Sequence, residues 1–268
     1  MGKNKQVLVS VVMPVYNNEK YVSEAIESIL NQSYANFEFI IIDDCSTDRT
    51  SKIISRFKDK RIRYYKNERN LGCTKSLNRA LKLANGEVIA RMDSDDYCDK
   101  DRFKMQLDTL NKENADVCGC NLIFIDKDGK EMLKSKYDYS NLDNSIKIWN
   151  PIAHPTVLIK KIVLDRYGYY DEKYEVSQDY ELWFRLWSNG CKFSLNDKFL
   201  YYYRQHEKTA KNLKTKKVIK TVLKIKIRVI REYGIRFNLK QWLRFMMEAG
   251  TLLLPKKVIL WGYYKTKK

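Results

Sequence analysis

Asp93-Ser94-Asp95-Asp96 crowds three carboxylates into four residues, which costs free energy unless a cation offsets the charge. Oxygen-only ligands of this kind suit Mg²⁺ or Mn²⁺, with alternate carboxylates facing a metal and a ribose hydroxyl. A solvated acidic turn capping a helix near Asp101 accounts for the same residues. In Asp43-Asp44-Cys45-Ser46-Thr47-Asp48, Ser46 or Asp48 can cap the helix that follows. Asp44, at a strand tip, can instead accept a hydrogen bond from the N3–H of uracil, a donor that cytosine lacks. Asp179 in Ser177-Gln178-Asp179-Tyr180-Glu181-Leu182-Trp183 reads, taken alone, as a helix N-cap. A carboxylate held rigidly there beside a pocket would also gain basicity through partial desolvation. No G-x-x-x-x-G-K or G-x-G-x-x-G is present, so neutralising a diphosphate would fall to a metal.

The elements that must position these residues follow from periodicity. Short β-branched runs predict strands near 7–13, 36–42, 61–65 and 87–92, and helical patterns predict helices near 18–31, 48–57 and 73–84. Phe39-Ile40-Ile41-Ile42 is apolar on both faces, as a parallel sheet covered by helices requires. In such sheets ligands bind outside the carboxyl ends of the strands, where Pro14-Val15-Tyr16-Asn17, Asp43–Asp48 and Asp93–Asp96 fall. Further on, the pattern predicts a helix at 101–113, a strand at 117–125, a turn at Asp128-Gly129, a strand at 156–159 and a helix from Asp179 to Gly190. From about 208 it is amphipathic and helical: Val218, Val222, Ile225 and Val229 share one face, and a second helix carries Trp242, Phe245, Met246, Ala249 and Leu253. Val258-Ile259-Leu260-Trp261 and Tyr263-Tyr264 sit among lysines, a mixture expected at a membrane surface.

Composition narrows the classes. The 268 residues support a full core, and 44% hydrophobic with 31% charged side chains excludes both a disordered chain and an integral membrane protein. The net charge is +18, but Arg204–Lys268 holds 19 Lys/Arg against three acidic residues and so carries +16 of it. A near-neutral body bears a basic tail. Six scattered cysteines without a C-x-x-C pair, and only His154 and His206, argue against structural zinc and for free thiols in a reducing cytosol. The apolar run Val7–Val15 after Lys3 and Lys5 superficially suggests a signal peptide, yet Pro14 interrupts it and a buried strand explains it better.

In order and spacing, Pro14–Asn17, Asp43–Asp48 with Arg49-Thr50, Asn70-Leu71-Gly72, Leu77-Asn78-Arg79-Ala80, Asn85-Gly86-Glu87, Asp93–Asp96 and Gln178–Trp183 resemble the motifs of bacterial family 2 glycosyltransferases, over roughly residues 7–206. The resemblance implies an α/β GT-A fold: a Rossmann-like, mostly parallel central sheet with helices on both faces, here followed by a basic helical extension. It divides the chain into a catalytic domain, 1–206, and a tail, 207–268. It implies inverting transfer of one sugar from a nucleoside diphosphate donor, a UDP-sugar foremost, with a divalent metal, Mn²⁺ or Mg²⁺, as cofactor. Pro14, Val15, Tyr16, Asn17, Glu19 and Asp44 then resemble the base and ribose site, joined by Asn70, Asn78, Asp93 and Ser94. Asp95 resembles the direct metal ligand of the D-x-D pair, with Asp93 and His206 as further metal-site residues, and Asp179 resembles the catalytic base. His154 resembles a residue near the diphosphate or acceptor, and reads equally as a core histidine. Gln178 replaces the Glu often found before the base. The Q-x-x-R-W signature of processive synthases is absent, which points to single-sugar transfer.

The expected acceptor is a surface glycan or lipid-linked saccharide at the inner face of the plasma membrane. The protein would be cytoplasmic and held peripherally on anionic lipid by 207–268. The competing class is a non-catalytic nucleotide sensor whose basic tail binds nucleic acid. Against it, tail aromatics share apolar helix faces with Leu, Ile and Met, so no nucleic acid is expected. A third arrangement packs the tail helices on the body.

Overall fold

The structure is a computed structural model that describes residues 6–205 and 215–254. Val9–Val15 (β1), Phe37–Asp43 (β2), Ile62–Lys66 (β3) and Val88–Arg91 (β4) pair in parallel in the order β3-β2-β1-β4. Side chains alternate between the faces of a strand, and here both faces are covered. Val9, Val11, Met13, Phe39 and Ile41 join one core cluster with Val22–Leu30 (α1) and Ile54 of Thr50–Ile54 (α2). Val12, Ile40 and Ile42 join the other with Leu77, Ala80 and Leu81 of Cys73–Leu83 (α3). Pro14 is tolerated in a central strand because pairing with β4 stops at Val12. The apolar run at the start of the chain is thus a buried strand.

The chain continues through Tyr97–Cys98 (β5), Arg102–Lys112 (α4), Val117–Ile125 (β6), Glu131–Ser135 (β7), Leu142–Ile148 (α5), a 3-10 turn at His154–Thr156, Leu158–Lys160 (β8), Lys161–Tyr167 (α6), Gln178–Ser188 (α7) and Phe193–Arg204 (β9). The sheet extends as β4-β8-β6-β9-β5, with β7 on β6. β6 and β9 are parallel, while β8, β5 and β7 run antiparallel to their neighbours. The expected mostly parallel sheet is present, curled by antiparallel strands, of which β8 matches the strand expected at 156–159 and β5 and β7 were not predicted.

Thr215–Tyr233 (α8) packs on α7, inserting Ile225 and Val229 into the same core cluster. Leu239–Gly250 (α9) starts at a capping box, with Asn238 Oδ1 accepting from Gln241 N and Gln241 Oε1 accepting from Asn238 N, both at 2.9 Å. Lys226 is sealed inside: its Nζ donates to Ile148 O at 2.8 Å and pairs with Glu248 at 2.6 Å, joining α8 to α5 and α9. The opposite side of α9 leaves Leu239, Leu243, Met246 and Met247 exposed. No helix among the described residues is long and apolar enough to cross a membrane. The aromatic cluster at 258–264 lies outside the described residues.

Candidate active site

Three strand ends are stitched into one surface. Asn17, at φ 47°, turns the chain after β1 so that its Oδ1 accepts from Thr47 N at 2.8 Å and its own N–H donates to Ser46 Oγ at 3.0 Å. Asn18 Nδ2 donates to Ser94 Oγ at 2.8 Å, linking the same turn to the end of β4. Val15 is buried, Pro14 half-buried, and Tyr16 exposed on the rim. Glu19 pairs with Arg49 at 3.0 Å, and that hydrogen-bonded ion pair holds its carboxyl below the usual range. Asp48 Oδ1 accepts from Thr50 N at 2.9 Å and its Oδ2 from Glu19 N at 3.1 Å, but Arg49 takes the N-cap position of α2, so neither Asp48 nor Ser46 is the expected cap.

Adjacent aspartates on β2 do different work. Asp43 is wholly buried; burial pushes its carboxyl up, but hydrogen bonds from Ser46, Ser51 and Tyr64 outweigh that and hold it low. Asp44 points the other way, its Oδ1 accepting from Asn67 Nδ2 at 2.6 Å and Leu71 N at 2.8 Å, its Oδ2 from Gly72 N at 2.8 Å. It therefore closes the 67–72 loop, with Gly72 at φ 88°, and retains one acceptor position on Oδ2. Asn70 is exposed on that loop. Asn78 is buried and turned to the segment before α7, donating to Tyr170 O at 2.8 Å and Glu172 Oε1 at 3.0 Å while accepting from Tyr170 N at 3.0 Å.

Ligand atoms of Asp93, Asp95 and Asp96 lie within 4.8 Å of one another. This is not a solvated turn: Ser94 and Asp96 are buried, and Asp101, not the cluster, occupies the N-cap position of α4. Asp96 Oδ1 accepts from Arg204 N at 2.7 Å, and its buried Oδ2 has no partner among the described residues. Arg204, at the end of β9, also donates from Nε to Asp95 O at 2.8 Å and pairs with Glu24. Arg91 pairs with Asp93. Burial, then the charge of Asp95, raises the Asp93 carboxyl against the opposing pull of Arg91. Burial and the charges of Asp95 and Asp93 raise Asp96 strongly. An oxygen-only cluster with surplus negative charge and an unpartnered buried oxygen fits a hard divalent cation.

Ser177, in the left-handed region at φ 58°, takes the N-cap of α7, so Asp179 is not the cap. Its half-buried carboxylate is instead oriented by Asn150, whose Nδ2 donates to Oδ2 at 2.6 Å. Burial raises its basicity, and the Asn150 bond only partly opposes this. His154 is a core histidine: it is buried, its Nε2 lies 2.7 Å from Tyr170 Oη, and burial, then the Arg91 charge, keeps it neutral well below its ordinary pKa. His206 lies outside the described residues.

Sequence reasoning missed Arg91 and Asn150, and marked the run Tyr203-Arg204-Gln205-His206 as near the diphosphate or acceptor without giving Arg204 a role. The buried guanidinium of Arg91 is within electrostatic reach of Asp93, Asp179, His154 and Tyr170, so it is the cationic centre of this wall. The signal was there, because an arginine ending the buried strand Val88–Arg91 must find a carboxylate.

The family model described as glycosyl transferase family 2 matches residues 10–168. An uncharacterized glycosyltransferase of Methanocaldococcus jannaschii is 38% identical over 212 residues, covering 76% of this chain and 73% of its own. The Escherichia coli UDP-Glc:alpha-D-GlcNAc-diphosphoundecaprenol beta-1,3-glucosyltransferase WfgD is 32% identical over 196 residues, covering 72% of this chain and 75% of its own. Among solved structures, S. aureus TarS 1-349 in complex with UDP-GlcNAc superposes with a TM-score of 0.67 at 23% identity, over 91% of this chain and 80% of that one. That likeness in fold, with the curled mixed sheet, identifies the GT-A architecture. The chain belongs to glycosyl transferase family 2.

Proposed function

We propose that this glycosyltransferase moves one sugar from a UDP-sugar to a hydroxyl of a lipid-linked bacterial glycan, with inversion in a single displacement. The observation that carries the reading is the placement of two unlike carboxylate sets on one wall, the Asp93–Asp96 cluster and the basic, Asn150-held Asp179. Pro14, Val15, Tyr16, Asn17, Glu19, Asp44, Asn70, Asn78, Asp93 and Ser94 form or brace the donor site. Asp44 offers the free acceptor position on Oδ2 to the uracil N3–H, and Asn78 acts by fixing the 170–172 segment. Asp95, with Asp93, would hold Mn²⁺ or Mg²⁺; such an ion, when bound, offsets the charge growing on a departing diphosphate. Asp179 takes the proton of the acceptor hydroxyl as that oxygen attacks the anomeric carbon from the opposite face. The relative WfgD, by its name a UDP-Glc transferase acting on a diphosphoundecaprenol-linked sugar, supports the donor and acceptor classes.

The reading includes peripheral attachment to the inner face of the plasma membrane. Exposed apolar side chains on α9 beside Lys240 and Arg244 support lipid contact rather than nucleic acid. The catalytic unit of residues 1–206 and the tail from 207 meet where α8 packs on α7.

Thermal unfolding with UDP, GDP, CDP or dTDP, each with and without Mn²⁺, tests the donor site. A ligand at about 100 times its dissociation constant adds ~2.7 kcal/mol to native stability. The expected result is a rise in melting temperature with UDP that needs the metal and disappears in Asp95→Ala. A metal-independent shift, or an equal one in the variant, removes the cluster from the site.

A further inference from the structure

A cleft of about 600 Å³ lies between the segment that leads into α7 and the first half of α8, lined by Lys173, Lys216, Lys217, Lys220, Lys224 and the Tyr174–Glu175 backbone turn. Lys216, Lys220 and Lys224 are spaced by four, which stacks them along one face of the helix. Like charges at that spacing destabilise a helix. Other cations of α8 are compensated: Lys217 pairs with Glu175, Lys226 with Glu248, and Arg228 with Asp171 and Glu232. Lys173, Lys216, Lys220 and Lys224 have no carboxylate partner among the described residues, and the three on α8 are exposed. Among the described residues five ammonium groups face one carboxylate, that of Glu175, so the cleft keeps a local excess of positive charge.

The Tyr174 side of the cleft is tied to α3 and leads along the chain toward Asp179. Thr74, in the first turn of α3, donates from Oγ1 to Tyr174 O at 2.9 Å, and four residues beyond Tyr174 the chain enters α7 just before Asp179. The segment that lines the cleft runs directly into Gln178 and Asp179, and this continuity connects an anion held here with the acceptor side. We propose that this lysine cleft binds the diphosphate of a lipid-linked acceptor, an assignment that rests on the function proposed above. The group is a multiply charged oxyanion, which compact, strongly hydrated ammonium heads bind as point charges. A cleft of this volume accommodates a diphosphate together with the adjoining sugar. α9, tied to α8 through Lys226 and Glu248, leaves Leu239, Leu243, Met246 and Met247 exposed for a lipid chain. One ligand would thus meet base, cations and apolar surface in sequence.

The test measures binding of farnesyl diphosphate and of farnesol to the full chain in mild detergent with EDTA, which keeps metal out of the donor site. Wild type is compared with Lys216→Gln/Lys220→Gln/Lys224→Gln and with a control of equal charge on exposed lysines outside the cleft lining and outside α9, Lys58→Gln/Lys60→Gln/Lys112→Gln. The cleft variant should lose affinity for farnesyl diphosphate by about tenfold or more, and the control by less than about twofold. Farnesol should bind all three proteins equally and weakly. The metal-dependent UDP melting shift should be the same in all three. Its absence from wild type would sink the donor reading alone, because diphosphate binding is read without nucleotide. Equal losses in the two variants, or wild-type binding that does not distinguish the diphosphate from the alcohol, would overturn the cleft assignment. Phosphatidylglycerol vesicles separate the two sources of phosphate. If the cleft variant loses vesicle binding as severely as farnesyl diphosphate binding, the cleft is a general headgroup site and the proposal fails. Removing three uncompensated like charges relieves the helix, so an intact melting temperature in the cleft variant is expected and excludes misfolding as the cause.

Discussion

Asn150 occupies Oδ2 of Asp179, which leaves Oδ1 to receive a proton. Asp179→Asn should therefore retain the metal-dependent UDP melting shift and lose transfer by about 10²-fold or more; near-normal turnover in that variant would remove Asp179 as the base. Burial raises this carboxyl above the ordinary range, so transfer should fall as pH drops through a correspondingly raised value. Removing the bond that opposes the rise, with Asn150→Ala, should move the acid limb of kcat/KM to still higher pH. An unmoved limb would mean that some other group titrates there. His154 has the opposite sense. Its folded-state pKa lies well below 6.5, so the native state excludes a proton that the unfolded chain takes up. Its contribution to stability is complete above the unfolded pKa and declines as pH falls below about 6.5, at ~1.4 kcal/mol per pH unit. In His154→Gln, urea unfolding between pH 6.5 and 5 should show a flatter dependence than wild type.

At the scale of elements, the join between α3 and β4 is closely packed against backbone. A Cβ on Gly86 would stand 2.6 Å from both Leu8 O and Ser10 Oγ, where Ser10 accepts from Gly86 N at 2.8 Å and donates to Glu38 at 2.6 Å. Gly86→Ala should cost about 1–3 kcal/mol in urea unfolding, and a neutral result would show that β4 can shift. β1, β2 and β4 were legible in the sequence because their runs are apolar on both faces, β3 because it is a short β-branched and aromatic run, and α1 and α3 because each shows one apolar stripe. β9 was not, although it is the longest strand at 12 residues. Its register against β6 shifts twice near Asn121, and Asn196-Asp197-Lys198 breaks the alternation that marks a strand. The site divided in the same way. The carboxylates were legible because their spacing is local. The roles of Arg91, Arg204 and Asn150 were not, because an ion pair or hydrogen bond to a distant segment leaves no periodic trace. Asp179, a cap by local rules, was displaced from that role by the left-handed Ser177.

For the whole molecule, the decisive asymmetry is between the two C-terminal helices. α8 buries Ile225 and Val229 against α7 and behaves as part of the core, whereas α9 turns large apolar side chains outward. Burying such side chains yields roughly 25 cal/mol per Å² of apolar area, and nearby basic residues add ~1 kcal/mol each at an anionic surface. Leu243→Asp/Met247→Asp should then release the protein from phosphatidylglycerol vesicles in a flotation assay while leaving its melting temperature unchanged. Vesicle binding equal to wild type would place lipid contact elsewhere. The sealed Lys226 has a geometric consequence. Because it ties α9 to Ile148, two residues before Asn150, the offset between the exposed apolar face of α9 and Asp179 is built into the protein. With α9 seated on a bilayer, Asp179 would stand at a fixed height above the lipid, and the enzyme would act as a ruler: acceptors would be chosen by how many sugars separate the reacting hydroxyl from the membrane.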